Sequence, residues 1–173
     1  DVLMLLDETR PAVDPRRADT AIFYSISNAQ AGLAGISFGN FLIKRVVDRL
    51  AAEYKGLKVF ATLSPIPGFR PWLKKQLDGS ADAILTAAER KGFAALGDQV
   101  DVAALLDAEG WVDDRVQSAV KPPLMRLCAR YLVQERARGN RVVDPVAHFH
   151  LSNGARVERL NWRADLSAKG IRQ

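Results

Sequence analysis

The sequence predicts an α+β domain in which a mixed sheet carries flanking helices. Three observations predict it. A strand–turn–helix–strand unit occupies residues 20–63, a helical and irregular stretch runs from 70 to about 119 with a further helix after it, and period-two alternation returns over 146–162. The chain has 173 residues, enough for one domain with a sizeable core, and we read 1–173 as that single domain. Its 48% hydrophobic and 26% charged residues are those of an ordinary globular protein.

The elements follow in order. Val2-Leu3-Met4-Leu5-Leu6 reads as a short strand, and residues 7–19 as a polar connector with Pro11 and Pro15. Thr20-Ala21-Ile22-Phe23-Tyr24-Ser25-Ile26 is apolar, aromatic and β-branched, the composition of a buried strand. Ala34-Gly35-Ile36-Ser37-Phe38-Gly39-Asn40 is a glycine-containing turn that opens a helix. In that helix Ile43, Val46, Val47, Leu50, Ala51 and Tyr54 share one face, while Lys44, Arg45, Asp48, Arg49 and Glu53 take the other. Leu57-Lys58-Val59-Phe60-Ala61-Thr62-Leu63 is the next strand, and Ser64-Pro65-Ile66-Pro67-Gly68-Phe69 a rigid corner. Its two prolines fix two φ angles and remove two donors.

Short helices are predicted over 71–77, 82–96 and 102–108. Leu124, Leu127, Cys128, Tyr131 and Leu132 form a further helical face, and Arg136-Ala137-Arg138-Gly139-Asn140 reads as the basic, glycine-capped end of that helix. Val146-Ala147-His148-Phe149-His150-Leu151 alternates like a strand, Ser152-Asn153-Gly154 reads as a hairpin turn, and residues 155–162 as the partner strand.

Composition narrows the partners. The net charge of +5 favours an acidic partner, either nucleic acid or a phosphorylated small molecule. No basic run reaches five residues, so a nucleic-acid surface is not indicated. The single cysteine, Cys128, allows no internal disulfide and suits a reducing, cytoplasmic compartment. No apolar stretch is long enough to span a membrane. A chain that starts at Asp1 directly in a strand-like run is expected to be a fragment of a longer protein.

Few residues stand out as chemistry. The turn at 34–40 opens a helix whose unpaired N–H groups and dipole make an anion site, and glycine would let a phosphate approach the backbone. A plain strand–helix turn explains the same residues equally well. Ser64 is presented at the carboxyl end of a strand, where open α/β sheets place ligands; a serine that merely ends the strand is the alternative. No G-x-S-x-G elbow surrounds it, so a hydrolase is unsupported. His148 and His150, the only histidines, share one side of the predicted strand. A metal would need a third ligand that the spacing does not offer. Cys128 sits on an apolar stripe as core filler, and Trp72, Trp111 and Trp162 are too dispersed for a base-stacking platform.

Four motifs in order resemble one family. Phe23-Tyr24-Ser25-Ile26-Ser27, Gly39 with Phe41-Leu42-Ile43-Lys44-Arg45-Val46-Val47, Leu63-Ser64-Pro65-Ile66-Pro67-Gly68-Phe69, and Asp144-Pro145-Val146-Ala147-His148-Phe149-His150-Leu151 with Asn153-Gly154-Ala155 are similar to the malonyl-CoA decarboxylases. The resemblance implies the catalytic domain of that enzyme, a GNAT-like acyltransferase fold, without the family's N-terminal helical domain and without the extreme C-terminal part, which carries a further site tyrosine. It places Ser64 and His150 at the catalytic serine and histidine, and Ala34, Gly35, Ile36, Ser37, Phe38, Gly39 and Asn40 at the malonyl-CoA-binding turn. Ser37 stands where family members carry a glutamate. Of the general GNAT phosphate-loop pattern, only Gly39 is met when the turn is read from Ala34.

The implied reaction converts malonyl-CoA to acetyl-CoA and carbon dioxide, as a carboxy-lyase does. The thioester is its own electron sink, so no metal or organic cofactor is required. The expected partners are malonyl-CoA and acetyl-CoA, with no nucleic acid and no membrane, in a homo-oligomer. Ser64 and His150 are expected at nearby strand ends of one sheet, where they could converge on one group. Two alternatives remain: a CoA-dependent acyltransferase of the same fold, and a non-catalytic CoA-binding or oligomerisation module.

Overall fold

A computed structural model describes residues 7, 9, 11, 14–24, 38–97, 101–107 and 113–171; side chains are not described at 38–41, 80–82, 102, 106–107, 169 and 171. The predicted strand at 2–6, the turn residues 34–37 and Trp111 lie outside the described residues. The chain divides into two units, 1–64 and 65–173.

In the first unit, β1 (Thr20–Tyr24) and β2 (Val59–Leu63) pair in parallel, with Thr20 opposite Val59 and Tyr24 opposite Leu63. Parallel neighbours need a crossover, and α1 (Phe38–Glu53) lies between them in the chain. On α1, Ile43, Val47, Leu50 and Ala51 are half-buried, as the apolar periodicity predicts, and Lys44, Arg45, Asp48, Arg49 and Glu53 are exposed. Val46 departs from that face and is also exposed. The connector before β1 contains a short 3₁₀ turn, Pro15–Arg17, capped by the Asp14 carboxylate.

The second unit is mostly helical: α2 (Phe69–Ile84), α3 (Ala87–Ala94), α4 (Val102–Asp107) and α5 (Asp114–Val133), then β3 (Arg136–Ala137), β4 (Arg141–Val142), α6 (Pro145–Ser152) and α7 (Ala168–Ile171). Its core is the apolar stripe of α5. Ala119, Val120, Leu124 and Leu127 pack with Leu73 and Leu77 of α2, Ile84, Leu85, and Phe93 of α3. The continuation of the stripe, Cys128, Tyr131 and Leu132, is covered by Ile66, Phe69, Trp72, Ala147 and Leu160. Trp72 and Trp162 are thus packing residues, not a platform.

Several predicted elements are corrected. The two helices predicted at 71–77 and 82–96 become α2 and α3, divided at Leu85-Thr86. Thr86 caps α3 in a capping box: its side chain accepts from the Glu89 N–H while the Glu89 carboxylate accepts from the Thr86 N–H. Arg126 of α5 locks this junction, donating to both Glu89 oxygens (2.8 and 2.7 Å) and to the Ile84 carbonyl (2.7 Å). α5 runs through Pro122 and Pro123. Proline ordinarily interrupts a helix; here the helix continues through both, with Pro123 buried and Pro122 exposed. Residues 136–140 are no helix end but part of a small antiparallel hairpin, β3–β4, whose turn places Gly139 and Asn140 at positive φ.

The largest correction concerns the last third. Residues 145–152 form α6, not a strand, and residues 155–161 form no partner strand. Asp144 caps α6, its carboxylate accepting from the Val146 and Ala147 N–H groups, and Pro145 takes the first helical position, where no donor is needed. Ser152-Asn153-Gly154 closes this helix, with the Asn153 amide donating to the Phe149 carbonyl. The described strands therefore make two separate two-stranded sheets, one parallel and one antiparallel, and no single mixed sheet. The domain is mixed α/β, mostly helical with small sheets.

Candidate functional site

Ser64 follows directly on Leu63, the last residue of β2, and is exposed. Its predicted place at the carboxyl end of a parallel strand is therefore observed. Phe38, Gly39 and Asn40 form the first turn of α1, so the helix begins within the predicted anion turn. Ala34, Gly35, Ile36 and Ser37 lie outside the described residues. Lys44, Arg45 and Lys58 are exposed in the same unit.

The second unit holds His148 and His150, both half-buried on α6. Two positions on a helix differ by about 200°, so the two imidazoles do not share a face as they would on a strand. This corrects the paired-histidine reading. It also removes the shared sheet expected for Ser64 and His150, because His150 lies on no strand. The His150 ring meets Phe149 edge-on, at 5.1 Å and 76°. Burial lowers the His150 pKa from the ordinary imidazole value by disfavouring the charged ring.

What the structure does bring together is a buried polar cluster that the sequence reading missed. The Asp144 side chain is wholly buried. Its Oδ1 accepts from the N–H groups of Val146 (3.0 Å) and Ala147 (2.9 Å), opening the helix of His150. Its Oδ2 accepts from the Gly68 N–H at 3.1 Å and from the Tyr131 hydroxyl at 3.5 Å. Four donors on one carboxyl group offset its loss of water. Tyr131 is 1% exposed, and burial together with the charge of Asp144 pushes its phenol up to about 12. It remains a protonated donor at any physiological pH. The ring lies against Phe69 (6.0 Å) and Trp72 (5.4 Å), and the Arg130 guanidinium stacks over Trp72 at 5.7 Å.

Gly68 is the corner's tight point. A Cβ there would fall well under 3.0 Å from the Tyr131 hydroxyl, and 3.2 Å from Asp144 Oδ2. Its glycine is required by close approach, not by an unusual backbone angle. The signal that could have revealed Asp144 is the dipeptide Asp144-Pro145, a cap followed by a first-turn proline. Nothing local marks Tyr131 beyond its place on the apolar stripe.

Among the described residues, no three His, Cys, Asp or Glu side chains are grouped to hold a metal ion, and no helix is long and apolar enough to cross a membrane.

Comparison with known proteins agrees with the motifs. The family model described as "Malonyl-CoA decarboxylase C-terminal domain" matches residues 1–173. The mitochondrial malonyl-CoA decarboxylase of Anser anser anser is 41% identical over 95% of this chain, which spans 34% of that protein. That of Rattus norvegicus is 44% identical over 91% of this chain and 34% of its own length. Thus the chain spans about a third of these relatives. Among crystal structures, the malonyl-CoA decarboxylase of Agrobacterium vitis is 47% identical with a TM-score of 0.83, over 99% of this chain and 40% of that one. The enzyme of Rhodopseudomonas palustris is 45% identical with a TM-score of 0.80, over 98% and 37%. With a family match along its whole length, this chain belongs to the malonyl-CoA decarboxylase C-terminal domain family.

Proposed function

We propose that the protein carrying this domain decarboxylates malonyl-CoA to acetyl-CoA and carbon dioxide. The supporting observation is the family match over residues 1–173, which includes the serine corner and the histidine segment. In this reading the helix start at Phe38-Gly39-Asn40, with Ala34, Gly35, Ile36 and Ser37 before it, takes the CoA pyrophosphate on its N–H groups. The complete domain is read as GNAT-like, a reading favoured by the parallel β1–α1–β2 unit. A cytoplasmic, homo-oligomeric enzyme belongs to the same proposal, although the names of the two relatives above place those proteins in mitochondria.

The chemistry asks little of a cofactor. As the C–C bond breaks, its electron pair passes into the thioester enolate and carbon dioxide leaves. The enolate carbon then takes one proton. A donor aimed at the developing oxyanion is typically worth about 2.7–4 kcal/mol. His150 polarises the thioester or relays the proton, and Ser64 hydrogen-bonds the enolate and protonates it. The test is to incubate the full-length protein with malonyl-CoA and analyse products by mass. Acetyl-CoA with carbon dioxide supports the reading. An acylated acceptor would replace it with an acyltransferase, and CoA binding without turnover would leave a binding module.

A further inference from the structure

We propose that Asp144 is a positioning residue for this reaction: one buried carboxyl group fastens the corner that follows Ser64 in the chain to the helix that carries His150. The proposal rests on the catalytic reading of Ser64 and His150 above.

The geometry separates the two tasks by oxygen atom. Oδ1 opens α6 through Val146 and Ala147, which sets where the helix starts and so the rotation at which His150 emerges, six residues on. Oδ2 holds the Gly68 N–H, four residues after Ser64. The remaining contact comes from the Tyr131 hydroxyl, whose ring is clamped by Phe69 and Trp72. Packing reinforces the bond pattern, because Ile66 of the corner and Ala147 of α6 both cover Cys128, Tyr131 and Leu132. A helix cap alone does not require this arrangement. Caps are ordinarily exposed and use one oxygen, whereas Asp144 is 0% exposed and uses both, the second on a segment 76 residues away. Groups that act on a reacting centre must be held to about 0.5 Å, and that precision comes from residues behind them.

The two tasks can be cut apart. Asparagine is as good a helix cap as aspartate, since its carbonyl oxygen can replace Oδ1. Its amide nitrogen cannot accept the Gly68 N–H. Asp144→Asn therefore keeps the start of α6 and severs the corner. Asp144→Ser, whose hydroxyl also caps, does the same with a smaller side chain. Both are made in the full-length protein beside Ser64→Ala and His150→Asn. The expected result is a folded Asp144→Asn enzyme whose kcat for malonyl-CoA falls at least roughly tenfold with KM changed far less, the pattern of an interaction felt mainly in the transition state. Amide exchange should quicken in the peptide spanning Gly68 while the first turn of α6 keeps its protection.

Turnover near that of the wild type in folded Asp144→Asn or Asp144→Ser, with Ser64→Ala and His150→Asn inactive, overturns the positioning role alone. A loss of kcat that only follows the fraction unfolded overturns it too, as does failure of both variants to fold, since Asp144 would then be purely structural. Normal turnover in Ser64→Ala and His150→Asn would instead fell the catalytic reading, and the positioning role with it.

Discussion

Replacing Gly68 by alanine should destabilise the second unit through a single clash. The new methyl would fall well under 3.0 Å from the Tyr131 hydroxyl, with the ring's Cζ and Asp144 Oδ2 each 3.2 Å away. Tyr131 cannot easily withdraw, being 1% exposed and bounded by Phe69 and Trp72. Overpacking of this kind costs about 1–3 kcal/mol. Pushing the hydroxyl off Asp144 adds about 0.5–1.5 kcal/mol. The total, about 2–4 kcal/mol, corresponds to a fall in Tm of roughly 5–15 °C for a domain of this size. Thermal and urea unfolding of Gly68→Ala measure it. The control is Tyr131→Phe, which deletes the offending oxygen and leaves Cζ as the nearest ring atom. In that background Gly68→Ala should cost about 1 kcal/mol or less, a coupling that a double-mutant cycle reads directly. An unchanged Tm in Gly68→Ala, or equal costs in the two backgrounds, would refute the clash.

The other predictions concern pH, binding and turnover. Glu89 is held at about 2 by its Arg126 hydrogen bond, below the carboxylate value of 4.5. Because the folded pKa is depressed, this contribution is complete above pH 4.5 and disappears as the pH falls toward 2. With Arg126 38% exposed, the pair is worth roughly 2 kcal/mol rather than the full shift. Glu89→Gln should therefore lower stability at pH 7 and match the wild type near pH 2 in urea titrations. Gly39→Val should weaken CoA binding by roughly tenfold in calorimetric titrations, about the loss of one charge-assisted phosphate contact. Unchanged affinity in a folded variant would remove the turn from the binding site. On the proposed mechanism, His150→Asn and Ser64→Ala should each lower kcat by about 10²–10⁴ with smaller effects on KM, and together less than the product, as expected if both serve one proton transfer. Steady-state kinetics on malonyl-CoA decides it.

The described elements of the first unit were legible because their signals are local. β1 and β2 are short apolar runs, and α1 repeats its pattern for four turns. Ser64 followed from the strand before it. The segment 146–151 misled because Val-Ala-His-Phe-His-Leu alternates, and eight helical residues are too few for a 3.6 period to outweigh that. The deciding information lay just outside, in Asp144 and Pro145, whose preferences at the cap and first position outrank a brief alternation. Thr86 and Glu89 were a similar local signal, three residues apart, that splits one predicted helix. Asp144 could be read as a helix cap, but its meeting with Gly68 and Tyr131 was not legible. The three are separated by 63 and 13 positions, and only the packing of α5 brings them together.

The sole thiol has a practical consequence. Cys128 is buried beside Tyr131, and burial with the nearby charge of Asp144 pushes its pKa up to about 12. At pH 8 it is therefore almost wholly the thiol, so the closed protein should react slowly with disulfide reagents and alkylators. Opening of α5 restores an ordinary thiol. Labelling kinetics at this one atom then count excursions of the core, without any engineered probe. A variant that loosens the Asp144 cluster would announce itself as faster labelling long before the protein melts.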